Sequence, residues 1–279
     1  MRLGGSVMNP YNSPEEWLAQ VKELGYSAVI FPVNSDAAPE VRKAYLDCAR
    51  ANDLLIGEVG IWKNLFSPDK AVADEAFAWS VQQLALADEV GANCCVNISG
   101  SCGDYWDGYH PDNYTKETYE KIVTISQRII DEVKPTHTTY SLEPMPWMVP
   151  DSPEGYLQLL KDVDRKAFSV HLDFTNMINS VERYHNRDAF VRHCFELLGP
   201  HIVSIHAKDA RMTPGDLPCS ILEVQPGEGV MNLGEVTRLA HALGEDTPVF
   251  VEHLPDHDSY LRAARYMRKV AAEAGVSVK

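Results

Sequence analysis

Short apolar runs alternate with longer amphipathic segments along the whole chain, and this alternation constrains the fold more than any other feature. A short apolar run is typical of a strand that is buried on both faces, whereas the amphipathic stretches are typical of helices. A strand followed by a helix, repeated many times, predicts a parallel sheet covered by helices. The runs predict eight strands, at Leu3–Met8, Ser27–Phe31, Leu54–Val59, Asn93–Ile98, Thr138–Glu143, Ala167–Asp173, Ile202–His206 and Pro248–Glu252.

Helix signals occupy the segments between these runs. The first helix has Ser13 as a cap and Pro14 at its first position, and Gly25 ends it. In Asp69–Val90 the apolar residues form one stripe, and Gly91 follows directly. Further helices are predicted at Lys116–Val133, Pro153–Lys161, Arg187–Leu198, Leu233–Leu243 and Asp258–Ala274.

Eight units of strand and helix fit a closed parallel barrel. Such a barrel typically needs about 250 residues, and the chain has 279. An open doubly wound sheet is the alternative, but no GxGxxG motif follows the first strand. We therefore predict an α/β fold, a single (β/α)8 TIM barrel, with one domain over residues 1–279. The longest irregular stretches follow strands, on the side where barrel enzymes build their sites, at Ser99–Tyr114, Pro144–Ser152 and Ala207–Met231.

The negative charge of the chain limits the classes of partner that it can bind. A formal net charge of −15 repels a phosphate backbone and an anionic membrane surface, so we expect neither nucleic acid nor membrane as a partner. No apolar run reaches the roughly 18 residues of a membrane span, and the apolar part of the N-terminus is too short for a secretory signal. The six cysteines form no CxxC pair, which favours a reducing, cytoplasmic location.

Four consecutive predicted strands end in residues of the types that bind metals: Glu143, Asp173, His206 and Glu252. Consecutive strands of a parallel barrel are neighbours, so these side chains could converge at its carboxyl-terminal mouth. Three crowded carboxylates repel one another unless a cation lies between them. Each residue alone could cap its strand or pair with a nearby Lys or Arg, but four in succession favour a shared metal site. Oxygen ligands with one imidazole suit a single divalent ion, Mn²⁺ first, with Mg²⁺, Co²⁺ or Zn²⁺ as alternatives.

The motifs around these residues resemble the xylose isomerase-like barrel superfamily. They are SLEP, HLDFTN, SIHAKD and FVEH, in this order along the chain. Members of that superfamily include sugar and sugar-phosphate isomerases and epimerases, inosose dehydratases and abasic-site endonucleases. In its ketose 3-epimerase branch the four matching positions bind one divalent metal, and the two glutamates also act as acid and base. The resemblance therefore implies that Glu143, Asp173, His206 and Glu252 are metal ligands, and that Glu143 and Glu252 are catalytic.

Asn176 departs from the pattern of many relatives, which carry a histidine three residues after the aspartate. In the endonucleases that histidine belongs to a multi-zinc cluster, so Asn176 argues against a multinuclear site. In epimerases it contacts the substrate, and an asparagine can still hydrogen-bond a hydroxyl but carries no positive charge. We therefore expect Asn176 to bind substrate, and we disfavour a phosphorylated substrate.

The chemistry of such a site fits a keto sugar. A metal that chelates a carbonyl and a neighbouring hydroxyl acidifies the C–H between them and stabilises an enediolate. One carboxylate can remove the proton and the other can return it. We therefore predict a metal-dependent isomerase or epimerase that acts on a small-molecule keto sugar or related polyol derivative.

Three alternatives to this function stay open. A lyase, hydratase or dehydratase could use the same metal site on a 3-keto sugar or 3-keto glycoside. An abasic-site endonuclease is disfavoured by the acidic charge and by Asn176. A non-catalytic sugar-binding barrel would need no metal. Self-association into a homo-oligomer is also left open.

Four further side chains are candidate substrate contacts. Three tryptophans on loops after strands could stack on a sugar face or simply anchor their loops: Trp62, Trp106 and Trp147. Arg211 could hold a substrate hydroxyl or carboxylate, or pair with a nearby aspartate. We expect His171 to be a hydrogen-bonded core histidine and His253 to point away from Glu252.

Overall fold

Parallel strands surround the centre of the molecule in the computed structural model, which describes residues 1–279. In chain order the strands are β1 (Arg2–Gly5), β2 (Ala28–Ile30), β3 (Leu55–Gly60), β4 (Cys94–Asn97), β5 (Thr139–Leu142), β6 (Phe168–Asp173), β7 (Ile202–His206), β8 (Asp209–Met212), β9 (Ile221–Val224) and β10 (Pro248–Val251). Eight of them pair in the order β1-β10-β7-β6-β5-β4-β3-β2. At the seam the Ser27 amide donates to the Leu3 carbonyl at 2.9 Å, so the barrel is nearly closed. The predicted (β/α)8 TIM barrel is therefore confirmed.

Helices follow the strands and cover the barrel. They are α1 (Pro14–Leu24), α2 (Pro39–Ala51), α3 (Lys70–Val90), α4 (Lys116–Val133), α5 (Pro153–Val163), α6 (Val181–His185), α7 (Arg187–Leu198), α8 (Leu233–Leu243) and α9 (His257–Glu273). The predicted cap of α1 is confirmed, because the Ser13 hydroxyl accepts the Glu16 amide at 3.3 Å. Gly25 ends the same helix with φ at 70°, a left-handed conformation that glycine adopts without strain.

The barrel interior is filled by side chains, and small residues opposite large ones make the packing fit. Phe250 on β10 is fully buried, and its ring lies against Gly4 on β1 and Gly57 on β3. A Cβ atom at Gly57 would lie 2.6 Å from the ring. The glycines therefore leave space for Phe250, which forms the floor below the carboxyl ends of the strands.

The segment after β7 differs from its predicted irregular structure, because β8 and β9 form an antiparallel hairpin there. The buried Asp209 carboxylate fixes the segment beyond the hairpin by accepting the backbone amides of Gly227, Gly229 and Met231 at 2.9 to 3.0 Å. This hairpin stands over the carboxyl ends of the strands and becomes part of the wall of the site described below.

No helix of the chain is both long and apolar enough to span a membrane.

Candidate active site

The four predicted ligands lie together at the carboxyl end of the barrel. Their ligand atoms are all within 4.8 Å of one another. His206 Nδ1 lies 2.8 Å from Glu252 Oε1 and 3.3 Å from Glu143 Oε1. The strand register explains this arrangement, because Asp173 pairs with His206 across β6 and β7, and His206 pairs with Phe250, two residues before Glu252. We call Glu143, Asp173, His206 and Glu252 the ligand cluster.

Lys208 is a buried cation inside the same group, and the sequence did not single it out as a site residue. Its ammonium lies 2.5 Å from Glu252 Oε1, 2.7 Å from Asp173 Oδ2 and 3.5 Å from Glu143 Oε1. Burial would lower the pKa of Lys208, but the surrounding carboxylates outweigh this and raise its pKa well above the usual value. The side chain is therefore charged. The available signal was its position two residues after His206, on the same face of an extended chain.

Glu58 on β3 reaches across the barrel interior to the other side of the His206 ring. Its Oε2 lies 3.3 Å from His206 Nε2, and its other oxygen accepts the Ser204 hydroxyl. Burial would lower the pKa of His206, but Glu252, Glu58 and Glu143 outweigh this and raise its pKa well above the usual value, so the ring is charged. When a metal displaces the Nδ1 proton, Nε2–H can still donate to Glu58, and the Nδ1 lone pair then faces the carboxylates of the ligand cluster. A metal-binding imidazole needs this tautomer, and such an outer carboxylate is its usual partner. Sequence reasoning missed Glu58, although a charge inside an apolar strand is an unusual signal.

His171 on β6 packs beneath the ligand cluster, with its ring edge-on to His206 and the ring centroids 4.1 Å apart. Its Nδ1 lies 3.3 Å from Glu58 Oε1, but neither ring nitrogen makes a hydrogen bond. The prediction of a hydrogen-bonded core histidine is therefore wrong in that respect. Burial, with the charge of His206 beside it, lowers the pKa of His171 to about 4, so this ring is neutral near neutral pH.

The two glutamates of the ligand cluster are shifted in opposite directions. Burial, together with the charge of Glu252, raises the pKa of Glu143 to about 7. Burial opposes ionisation of Glu252 as well, but His206 and Lys208 outweigh it and hold the pKa of Glu252 well below its usual value. A divalent cation among these oxygens would lower the pKa of both carboxyls.

The donor set fits a divalent cation. The three carboxylates of the ligand cluster and Glu223 lie within 3.7 Å of the Lys208 ammonium, and Glu58 lies on the other side of His206. Carboxylates therefore outnumber the two buried cationic groups, Lys208 and His206. Asp173 Oδ2 and Glu252 Oε1 are buried, and a metal ion bound to them would share them with the Lys208 ammonium, which lies 2.7 and 2.5 Å away. Three carboxylate oxygens with one imidazole nitrogen are typical of Mn²⁺ or Mg²⁺, with Co²⁺ and Zn²⁺ as alternatives. These buried groups could hold a metal ion, and they do not by themselves identify it.

An inner cavity of about 330 Å³ opens from the ligand cluster towards solvent. Glu143, His206 and Glu252 line one side of it, and Trp62 and Trp106 line the other. The backbone of Trp62 has φ at 52°, a left-handed conformation that strains a bulky residue and is found most often at functional sites. Both tryptophans thus border the cavity, and their contact with a sugar stays a prediction.

A larger outer cavity of about 530 Å³ adjoins the inner one, between the loops after β5 and β6 and the β8–β9 hairpin. Trp147 and Asn176 line it. Asn176 also contacts the ligand cluster, because its Nδ2 donates to Glu143 Oε1 at 3.2 Å and its backbone amide donates to Asp173 Oδ1 at 2.9 Å. Asn176 therefore orients two of the candidate ligands in addition to facing the outer cavity.

Arg211 and His253 lie elsewhere than the sequence suggested. Arg211 is on β8 with an exposed side chain, lines neither cavity and makes no ion pair with Asp209. His253 lines both cavities, and its Nε2 lies 3.7 Å from Glu252 Oε2. The prediction that His253 points away from Glu252 is therefore wrong. Its φ of 55° explains the error, because a left-handed residue breaks the alternation of an extended strand.

Residues 18–270 match the family model of the xylose isomerase-like TIM barrel. The chain therefore belongs to this family, and the resemblance in the four strand-end motifs is confirmed at that level. No curated protein sequence matches the chain.

Solved structures with the same fold cover nearly the whole chain. D-psicose 3-epimerase from Clostridium cellulolyticum H10, solved with D-tagatose, is 14% identical with a TM-score of 0.72, covering 99% of this chain and 100% of its own. A xylose isomerase-like barrel protein from Mycobacterium smegmatis, in complex with magnesium, is 17% identical with a TM-score of 0.67, covering 92% and 88%. A probable 3-DHS dehydratase from Bacillus anthracis is 15% identical with a TM-score of 0.72, covering 97% and 99%. At these identities the similarity shows the fold.

Proposed function

We propose that this protein is a divalent-metal-dependent isomerase or epimerase that acts on a keto sugar or related polyol derivative through an enediolate. The observation that carries the proposal is the convergence of three carboxylates and one imidazole within 4.8 Å at the barrel mouth. Membership of the xylose isomerase-like family and the similarity to a sugar epimerase support it. The metal ligands are Glu143, Asp173, His206 and Glu252.

Glu143 and Glu252 exchange the proton in this proposal. A bound divalent ion would polarise the substrate carbonyl and acidify the adjacent C–H. One glutamate then removes that proton, and the other returns it to the opposite face of the carbon. Glu143 Oε1 and Glu252 Oε1 both lie within 3.3 Å of His206 Nδ1, so both carboxylates border the same site. To move a proton, each glutamate needs one carboxylate oxygen that does not bind the metal. Ligation through a single oxygen would leave the other oxygen free.

The remaining residues position these groups. Glu58 holds the His206 tautomer through its contact with Nε2, and Asn176 orients Glu143 through its amide. Lys208 offsets the excess of negative charge among the carboxylates. Trp62, Trp106 and Trp147 would present flat apolar faces to the substrate.

A lyase or dehydratase is the second candidate, because elimination of a group next to the enediolate would use the same metal and base. The fold similarity to a probable dehydratase supports this alternative. The substrate would then be a 3-keto sugar or 3-keto glycoside. An abasic-site endonuclease and a non-catalytic binding barrel are less consistent with Asn176 in the histidine position and with two glutamates in contact with one cavity.

We also propose Mn²⁺ as the ion, a cytoplasmic location and a single domain over residues 1–279. Six free cysteines and the acidic composition support the location. Equilibrium dialysis against equal concentrations of Mn²⁺, Mg²⁺, Co²⁺ and Zn²⁺, followed by elemental analysis, tests the choice of ion. If the protein retained a different ion, the choice of Mn²⁺ would be wrong, but the proposed ligands would stand.

The function is tested by incubating metal-loaded protein in deuterated water with a panel of free ketoses and 3-keto glycosides. We expect deuterium at the carbon next to the carbonyl of the true substrate, and epimer, isomer or elimination product would identify the reaction. Chelator-treated protein and Asp173→Asn serve as controls and should show no exchange. Exchange that persists without metal, or a lack of exchange across the whole panel, would contradict the proposal.

A further inference from the structure

Lys208 lies at the junction between the ligand cluster and the β8–β9 hairpin. Along the chain it comes shortly after His206, which ends β7, and directly before Asp209, which begins β8. Its backbone is fixed there, because the Thr175 hydroxyl donates to the Lys208 carbonyl at 3.2 Å. Only 1% of the side chain is exposed, and it lines neither of the two cavities. Lys208 is therefore placed to act on the charged groups of the protein rather than on the substrate.

The ammonium of Lys208 shares its closest oxygens with the candidate metal site. It lies 2.5 Å from Glu252 Oε1 and 2.7 Å from Asp173 Oδ2, and both oxygens belong to the ligand cluster. A divalent ion bound to the ligand cluster would therefore be close to the ammonium, and two cations on the same oxygens repel each other. Metal binding thus favours a position of the ammonium that is farther from these two oxygens.

Two further acceptors lie near the same ammonium. Asn176 Oδ1 is 3.3 Å from Lys208 Nζ, and Glu223 Oε2 is 3.7 Å from it. Neither residue belongs to the ligand cluster. The four-carbon stem of lysine is flexible, so Nζ can shift from the ligand oxygens towards these two acceptors without a change in the backbone.

Glu223 connects the hairpin to the charged groups of the site. It lies on β9, and its Oε2 is also 3.1 Å from Nδ1 of His253. The hairpin and its turn supply part of the wall of the outer cavity, namely Ala210, Cys219, Ile221 and Glu223. A stronger contact between Lys208 and Glu223 would hold this wall against the barrel, and a weaker contact would let it open.

We propose that Lys208 is a positioning residue that couples metal binding to the β8–β9 hairpin. In the metal-free chain its ammonium neutralises the ligand cluster. When a divalent ion binds, the ammonium moves towards Asn176 and Glu223 and ties the hairpin to the site. Metal therefore binds before the substrate and completes the wall of the outer cavity. The inference rests on the metal site of the proposed function, and it does not depend on which reaction the site performs.

Hydrogen exchange of the backbone amides in residues 209–224, followed by mass spectrometry, tests this coupling. Protein freed of metal by a chelator is compared with the same protein after dialysis into Mn²⁺, and elemental analysis measures the bound metal. We expect bound Mn²⁺ to slow exchange of the hairpin amides by about two- to fivefold, because one partly exposed ion pair is worth that much.

Glu223→Gln should abolish this slowing, because the amide removes the charge that attracts the displaced ammonium. The variant should still bind Mn²⁺ with nearly the affinity of the parent, since Glu223 is not a ligand. Glu228→Gln is the matched control. It makes the same change at an exposed residue in the segment that follows the hairpin, and Glu228 lines neither cavity. This control should keep the full effect of metal on the hairpin.

Lys208→Met provides a second readout, because it removes the cation that shares the oxygens of the metal. A positive charge within about 4–6 Å lowers the affinity of a carboxylate for a proton by about 10- to 1,000-fold. A divalent ion at the same oxygens should respond in the same direction, so the variant should bind Mn²⁺ about tenfold more tightly or better in competition with a chelator. A lysine that only held the fold together would give weaker metal binding on removal. If Lys208→Met fails to fold, the Glu223→Gln comparison still decides the inference.

The outcomes distinguish this inference from the proposed function. Hairpin exchange that bound metal leaves unchanged, equal slowing in Glu223→Gln and the parent, or weaker metal binding by folded Lys208→Met would overturn the inference while the metal site stands. Metal-dependent slowing that requires Glu223, together with no deuterium exchange into any substrate, would support the inference and contradict the proposed reaction. A parent protein that binds no divalent metal would overturn both.

Discussion

The two halves of the barrel contribute different chemistry to the inner cavity. The half from β5 to β10 supplies the whole ligand cluster and Lys208. The half from β1 to β4, with its loops, supplies Ser6, Ile30, Trp62, Ile98 and Trp106, and its charged groups there are Glu58 and Asp107. Charge is thus concentrated on one side of the cavity, and apolar surface on the other.

This difference separates two tasks. The charged half can hold a metal ion and move protons, and the apolar half can orient the face of a sugar ring. Substitutions in the charged half should therefore reduce metal binding and turnover, whereas those in the apolar half should reduce substrate affinity. Glu58 is the exception, because it lies in the first half but contacts His206 in the second. Three substitutions test this division of tasks, and a fourth tests the buried histidine beneath the charged half, in decreasing order of expected effect.

Glu252→Gln should have the largest effect. Glutamine keeps the shape of the side chain and one oxygen donor but cannot accept a proton, so metal should be partly retained while turnover falls. General acid–base assistance is worth about 10²–10⁴ in rate, and the loss should be at least that large. Steady-state kinetics with elemental analysis of the same preparation measures both effects.

The matched control for this variant is Glu117→Gln, which makes the same change at an exposed position on α4. It should leave turnover unchanged. If Glu252→Gln keeps both its metal and near-normal turnover, Glu252 is a ligand only, and the charged half does not supply that proton-transfer group.

His171→Phe should change the pH dependence of stability. The pKa of His171 is lowered from the usual 6.5 to about 4 in the folded chain. Between these pH values the unfolded chain binds a proton that the folded chain does not, so the free energy of unfolding falls as the pH decreases from 6.5 to 4. The shift corresponds to about 3 kcal/mol. The phenylalanine variant should lose that much less stability over this interval.

Urea unfolding of both proteins at a series of pH values, with chelator present, measures this difference. Chelator is needed because metal binding has its own pH dependence. The same pH dependence in the two proteins would show that His171 is not the buried neutral group on which the prediction depends.

The sequence was sufficient to predict that the four residues of the ligand cluster lie together. Each candidate ligand directly ends or follows an apolar run, and consecutive runs in a parallel barrel are neighbours, so convergence followed from the fold alone. The structure brings Asp173, His206 and Glu252 together through the register of β6, β7 and β10, as that argument requires. The boundaries of α4, α7 and α8 were predicted to the residue, and the side chains of Thr115 and Asn232 cap the first turns of α4 and α8.

The sequence did not predict contacts that cross the barrel or break its alternation. Glu58 lies within β3 rather than at its end, and only the closed barrel brings it 3.3 Å from a residue on β7. Lys208 follows a strand, where lysine is usually exposed, and only its carboxylate partners keep it buried. His253 has a positive φ that no local residue pattern indicated. These three positions depend on tertiary structure, and one of them adds a charge to the other half of the cavity.

Glu58→Gln tests that exception. The amide side chain removes the negative charge beside His206 Nε2. The tautomer that carries its proton on Nε2 and can bind metal through Nδ1 should therefore be less favoured. Loss of an outer carboxylate typically reduces metal affinity by about 10–100-fold. Competition between the protein and a chelator of known affinity measures the dissociation constant, and nitrogen-15 spectra of labelled histidine report the His206 tautomer directly.

Glu223→Gln is the control for this experiment. Glu223 also lies near the ligand cluster, with Oε2 at 3.7 Å from Lys208, but it does not contact His206. The metal affinity of the Glu223→Gln variant should stay close to that of the parent protein. Equal losses in the two variants would attribute the effect to general negative charge, and the two halves would then be coupled only through the electrostatic field.

Trp62→Ala should have the smallest effect, and it should appear in substrate affinity rather than in turnover. Trp62 lines the inner cavity opposite the ligand cluster, and a stacked aromatic pair is worth about three- to tenfold in affinity. KM should rise by that factor with kcat little changed, and metal affinity should not change.

Trp62→Gly separates the effect of the ring from the effect of the backbone, because glycine removes the same ring and also relieves the strain of the φ of 52°. The glycine variant should therefore bind substrate as weakly as the alanine variant while unfolding at a higher denaturant concentration. A fall in kcat that exceeds the rise in KM would place Trp62 with the groups that move protons, and the apolar half would then do more than orient the sugar.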